Sequence, residues 1–96
     1  MMVLVTYDVN TESDGGKRRL RRVARVCTNY GQRVQNSVFE CLVDPAQFAE
    51  LRHTIRDIIE PERDSIRFYF LGKEWRRRVE HIGAKPAYDP EGPLLI

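Results

Sequence analysis

Met1-Met2-Val3-Leu4-Val5 is an unbroken apolar run, and Thr6-Tyr7-Asp8-Val9-Asn10 closes it on a carboxylate and a turn-forming amide. A short, continuous, partly β-branched run predicts a strand over residues 2–8 buried on both faces, hence near the middle of a sheet. A bare acid at the exit of such a strand has two uses. Asp8 either accepts backbone N–H groups in a turn ahead of the next element, or it holds a cation.

The residues after that strand narrow the fold. Thr11 to Gly16 is a polar loop, after which Leu20, Val23, Ala24 and Cys27 recur at i, i+3, i+4 and i+7, the stripe of an amphipathic helix. Arg18, Arg22 and Arg25 share a different face, and Asn29-Tyr30-Gly31 ends the helix with Gly31 as a left-handed cap. In QRVQNSVFECLV, Asn36-Ser37 separates two β-like stretches, near 32–35 and 37–43, which predicts a hairpin. Asp44-Pro45-Ala46-Gln47 is a helix start, with Asp44 as cap, Pro45 in the first helical position and Gln47 closing a capping box. Phe48, Leu51, Ile55 and Ile58 form that helix's stripe, and Pro61 ends it. Ile66, Phe68 and Phe70 alternate with Arg67, Tyr69 and Leu71 in DSIRFYFLG, a strand. Trp75, Val79 and Ile82 mark a further strand, Pro86 and Pro90 fall among turns, and the chain ends on Leu94-Leu95-Ile96.

The order β-α-β-β-α-β plus a tail predicts an α+β, ferredoxin-like sandwich: an antiparallel sheet with both helices on one face and the first and third strands central. Asp8 then leaves the middle of a sheet edge. With 96 residues the chain is a single domain, its core about 1–72 and its tail about 73–96. A domain of this size buries only about 60–65% of the surface its unfolded chain exposes. A thin core and an apolar terminus favour a homodimer, with the segment from about Trp75 onward crossing to the partner and extending its sheet.

Net charge is only +2, but it is uneven. KRRLRRVAR, from Lys17 to Arg25, holds six basic residues and no acid, and Lys73 with Arg76-Arg77-Arg78 forms a second cluster. A phosphate backbone meets local basic density rather than net charge. The plain alternative for Lys17, Arg18, Arg21, Arg22 and Arg25 is a solvated helix face. Gln35, Asn36 and Ser37 suit a structural turn, from which Arg33 is still able to reach a phosphate. Mg²⁺ takes one or two carboxylates plus waters and phosphate oxygens. A lone Asp8 makes no such site, and Glu12 and Asp14 lie on a loop, so two copies of Asp8 across a two-fold axis are needed.

Other chemistries lack support. Cys27 and Cys41 sit far apart in apolar patterns, without CxxC or zinc spacing, as reduced core thiols of a cytoplasmic protein. The opening run is too short to span a membrane and has no basic stretch before it, so no signal peptide and no membrane partner are expected. His53 and His81 have no ligand or triad partner at suitable spacing, and a Ser37–His53–Asp8 triad has no motif behind it. No P-loop, no GxGxxG and no aromatic RNA-recognition signature occurs.

Tyr7-Asp8 at the end of an apolar strand, the basic first helix and RVQNSVFE at 33–40 together resemble the family of the CRISPR-associated protein two, the partner of the CRISPR integrase in spacer acquisition. GKEWRRRVEHIG and the terminal LLI are most similar to its subtype I-C branch. The resemblance spans essentially the whole chain. It implies a ferredoxin-like homodimer and a Mg²⁺- or Mn²⁺-dependent endonuclease on single-stranded RNA or double-stranded DNA, with Asp8 as metal ligand. Tyr7, Arg33, Phe39 and an arginine late in the basic helix, Arg22 or Arg21, match positions tied to activity. Some members work without catalysis, which leaves a DNA-binding bridge between integrase dimers as a second reading. Outside the family, a toxin-type ribonuclease on the same fold remains.

Overall fold

The computed structural model describes residues 1–84, and Pro86, Pro90 and Leu94-Leu95-Ile96 lie outside the described residues. Its elements are β1 (Met2–Asp8), α1 (Gly16–Thr28), β2 (Gly31–Gln35), β3 (Val38–Leu42), α2 (Pro45–Ile58), β4 (Ser65–Gly72) and α3 (Trp75–Arg78). The four strands form one sheet in the order β2-β3-β1-β4, with every neighbouring pair antiparallel. This is the ferredoxin-like α+β arrangement that the element order predicts, with β1 and β3 central.

Side-chain alternation sorts the sheet into two faces. Val3, Val5 and Tyr7 of β1 and Phe39 and Cys41 of β3 point to one side, where they meet Leu20, Val23, Ala24 and Cys27 of α1 and Leu51, Ile55 and Ile58 of α2. Both helices therefore cover the same face. Phe48 adds an edge-on contact to Phe68 and Phe70 of β4, with ring centroids 5.3 and 5.0 Å away. The opposite face carries Leu4, Thr6, Val38, Glu40, Arg67 and Tyr69, and among the described residues no helix covers it, so β1 is only partly buried there rather than buried on both faces as its apolar run suggests.

Local chemistry sets the element ends. Asp44 accepts from the Gln47 backbone N–H at 2.7 Å while the Gln47 side chain accepts from the Asp44 N–H at 2.9 Å, so two otherwise unpaired donors are satisfied ahead of Pro45. Gly31 acts differently from the left-handed cap expected of it. It opens β2, and a Cβ there would lie 1.8 Å from the carbonyl oxygen of Glu40, so glycine is required by the close approach of β2 to β3. Gly16 plays the same part at the start of α1, against the carbonyl oxygen of Asn10.

The segment after β4 also departs from expectation. Trp75–Arg78 form one helical turn, not a strand. The spacing of Trp75, Val79 and Ile82 is i, i+4, i+7, which suits a helix rather than a period of two. Gly72, at φ 81°, breaks β4 ahead of the turn, and Arg78 Nη1 donates back to the Leu71 carbonyl at 2.9 Å. Val79 and Ile82 are exposed. Among the described residues no helix is long and apolar enough to cross a membrane.

Candidate functional site

Asp8 closes β1 directly opposite Ser65 of β4, and its side chain is exposed. The strand end and the hairpin turn bound an open groove of about 410 Å³. Thr6, Asp8 and Thr11 line one side of it, Asn36 and Ser37 the other. A backbone bond from the Tyr7 N–H to the Ser37 carbonyl, 2.9 Å long, ties the strand end to the hairpin turn. The Asp8 carboxylate takes no hydrogen bond or ion pair among the described residues, so it does not serve as the N–H-accepting turn residue. Asn10 fills that role, its Oδ1 accepting from the N–H groups of Glu12 and Ser13.

The donors around the groove are carboxylate, hydroxyl and amide oxygens, the hard set that Mg²⁺ and Mn²⁺ prefer. Among the described residues no three His, Cys, Asp or Glu side chains cluster as a metal cage. Among the described residues Asp8 is a single free carboxylate beside open space. A divalent ion there would be bound mostly by waters and phosphate oxygens, and a second carboxylate would have to come from outside this protomer's groove.

Beneath Asp8 lies a buried polar hub that motif reading misses. The Asp64 carboxylate accepts from the Tyr7 hydroxyl at 2.5 Å, from Arg19 Nε at 2.8 Å and Nη2 at 3.2 Å, and from the backbone N–H groups of Asn10 and Glu60 at 3.1 and 3.2 Å. Arg19 also donates to the Asp14 carbonyl and the Ser13 hydroxyl. Burial pushes the Asp64 carboxyl up, but the guanidinium, the phenol and the two backbone donors outweigh it and hold the group well below the usual carboxylate range. Burial, and then the hydrogen bond to Asp64, push the Tyr7 phenol far above its ordinary value, so it remains a neutral donor. One signal of the hub was present in the sequence. Arg19 falls on the apolar stripe of α1, four residues before Val23, and is 6% exposed.

Arg33 and Phe39 form a second small unit. Arg33 Nε and Nη2 donate to the Asn36 carbonyl at 2.8 and 2.6 Å, and Nη2 reaches Asn36 Oδ1 at 3.2 Å. Its guanidinium carbon lies 5.7 Å from the centre of the Phe39 ring, within cation–π range. Phe39 is fully buried opposite Val5. Arg33 itself is exposed and ties the hairpin turn on the far wall of the groove.

The basic helix divides once Arg19 is inside. Lys17, Arg18, Arg21, Arg22 and Arg25 remain exposed, and none of them makes an ion pair among the described residues. On a helix of 3.6 residues per turn, Arg18, Arg21, Arg22 and Arg25 fall within an arc of about 100°. His53 is exposed and lies 3.5 Å from Asp57. Cys27 and Cys41 are free, buried thiols, with Cys41 Sγ donating to the Cys27 carbonyl; the neighbouring Cys41 side chain, and then burial, raise the Cys27 thiol far above its ordinary value.

The family model described as CRISPR associated protein Cas2 matches residues 1–79. The chain belongs to the Cas2 family. It is 62% identical over its full length to the CRISPR-associated endoribonuclease Cas2 of Nitratidesulfovibrio vulgaris, of which it covers 94%, and equally to that of Chlorobaculum tepidum, covering 100%. The relative from Halalkalibacterium halodurans, named CRISPR-associated endonuclease Cas2, is 57% identical with both chains covered in full. The crystal structure of Streptococcus pyogenes Cas2 at pH 6.5 superposes with a TM-score of 0.79 at 64% identity, over 86% of this chain and all of that one. Asp8, Tyr7 and the hairpin thus lie within a Cas2 fold.

Proposed function

We propose that this Cas2 chain is a metal-dependent endonuclease and a nucleic-acid-binding partner of the CRISPR integrase in spacer acquisition. The observation that carries the reading is Asp8, a carboxylate without a partner among the described residues, at the exit of a central strand beside an open groove. The names of the relatives, endoribonuclease and endonuclease, support a nuclease.

The working unit is a homodimer. The tail beyond about residue 73 pairs with the partner's sheet, and the two-fold axis brings both Asp8 carboxylates to one cleft. Mg²⁺ or Mn²⁺ held between them would lower the pKa of a bound water and offset charge on the phosphate. The chain's own residues orient the substrate: the exposed face of Arg18, Arg22 and Arg25, joined by Lys17 and Arg21, binds the sugar–phosphate backbone of double-stranded DNA or single-stranded RNA. Arg33 steadies a phosphate beside the hairpin. Tyr7 and Phe39 act from the interior. We place the protein in the cytoplasm, where Cys27 and Cys41 stay reduced.

A second reading is supported by the basic face of α1, which does not depend on Asp8: a non-catalytic bridge that holds DNA between integrase dimers. Cleavage of RNA and DNA panels with and without Mg²⁺, comparing the wild type with Asp8→Ala, separates the two. Loss of Mg²⁺-dependent cleavage in Asp8→Ala supports the nuclease. A wild type that binds duplex and the integrase in a pull-down, yet cleaves nothing, supports the bridge. Cleavage without integrase capture points to a free-standing ribonuclease.

A further inference from the structure

Asp64 collects five donors from four separate stretches of chain: the end of β1, the loop after it, α1, and the turn between α2 and β4. A carboxylate has about four lone-pair sites on its two oxygens, so this one is saturated. Its partners are placed to matter for Asp8. Tyr7 precedes Asp8 directly and Asn10 lies two residues beyond it, and both bond to the same carboxylate. The short span Asp8-Val9 is therefore tied at each end to one fixed point. Arg19 binds that point too, and through Ser13 and Asp14 it holds the loop between β1 and α1.

A buried ion pair is a weak source of stability, since well-packed apolar residues of similar volume often do as well or better. What a saturated polar hub does supply is a fixed geometry among the segments it joins. We propose that Asp64 and Arg19 are positioning residues for the nuclease site: through Tyr7 and Asn10 they aim Asp8 into the groove, and through α1 they fix the distance between Asp8 and the phosphate-binding face. The inference rests on the reading of Asp8 as the metal-bearing carboxylate. Tyr7 then contributes by its hydrogen bond to Asp64 and does not touch substrate.

The test uses the full-length dimer below its unfolding temperature. Tyr7→Phe deletes one bond of the hub and keeps the ring. Arg19→Lys keeps the charge and loses the fork, and serves where Asp64→Asn fails to fold. Two quantities are read: kcat and KM for cleavage, and the Mn²⁺ concentration that broadens the amide NMR signals of residues 8–10. Displacement of a reacting group by a fraction of an ångström predicts a fall in kcat of about ten- to a hundredfold, with KM within about twofold. The Mn²⁺ midpoint should rise in both variants, and the Asn10 amide should exchange faster. Folded variants with wild-type kcat and midpoint, differing only in melting temperature, overturn the proposal and leave the hub a fold stabiliser. Asp8→Asn is the separate control. If it retains cleavage and Mn²⁺ broadening, or if the wild type shows neither, the reading of Asp8 fails and the positioning role falls with it. If Asp8→Asn loses both while Tyr7→Phe and Arg19→Lys keep both, only the positioning role fails.

Discussion

Removing two arginines per protomer from α1, Arg18→Ala with Arg22→Ala, should change how binding of duplex DNA depends on salt. Arg18, Arg22 and Arg25 are exposed and unpaired among the described residues. From Arg18 to Arg25 the helix advances about 10 Å. A duplex carries about six phosphate charges over that length, so three contacts per protomer fit without deforming it. A dimer engaging about six phosphates gives a slope of log K against log salt near −5, or about three decades of affinity between 50 and 200 mM. The double variant removes four contacts from the dimer and should flatten the slope by roughly 3.6, leaving about one decade over the same range. Fluorescence anisotropy of a labelled duplex across a salt series measures both. Arg19 is excluded from the count because its guanidinium is committed to Asp64. Two duplexes of unrelated sequence should give the same result, since phosphate contacts carry no base information. An unchanged slope and affinity in the double variant would refute the reasoning and move the DNA surface to Lys73 and Arg76–Arg78.

Three more outcomes rest on the packing. Phe39→Ala empties a fully buried ring position and should cost about 3–5 kcal/mol in urea unfolding; Phe39→Leu should recover activity and stability together, and activity lost in a stably folded Phe39→Leu dimer would argue for a direct role. The folded Asp64 carboxyl titrates below its unfolded counterpart, so its contribution to stability is full above about pH 4 and shrinks as pH falls below that value; the stability gap between the wild type and Asp64→Asn should therefore narrow on acidification, and a gap constant from pH 6 to pH 3 would contradict the assignment. Truncation after Gly72 should yield monomer or aggregate in sedimentation, whereas a stable truncated dimer would exclude tail exchange.

What the sequence disclosed was local. The stripe of Leu20, Val23, Ala24 and Cys27, the Asp44–Gln47 box and the alternation of Ile66, Phe68 and Phe70 are set by interactions within a turn or two of chain, and each appears in the fold where expected. The position of Asp8 at a central strand exit was legible for the same reason. The hub was not, because Arg19 and Asp64 are 45 residues apart and Tyr7 and Asp64 are 57 apart. Arg19 was hidden in a run of like charges that reads as surface, and only its phase on the helix sets it apart. Gly31 was misassigned because a glycine after a helix suggests a cap, while the demand on it comes from β3 across the sheet. At Trp75 an aromatic and two aliphatic residues suggested a strand, although their spacing was helical.

On the proposed mechanism, two Asp8 carboxylates from one dimer jointly hold the metal that cleavage needs. Wild type and Asp8→Asn, mixed in equal amounts and allowed to exchange subunits, test it directly, because only about one dimer in four then keeps both carboxylates. Mg²⁺-dependent cleavage per protomer should fall to about a quarter of the wild-type value, with dimer content unchanged. A fall to only about half, as independent sites would give, would contradict the shared site, and undiminished cleavage would place the activity away from Asp8 altogether.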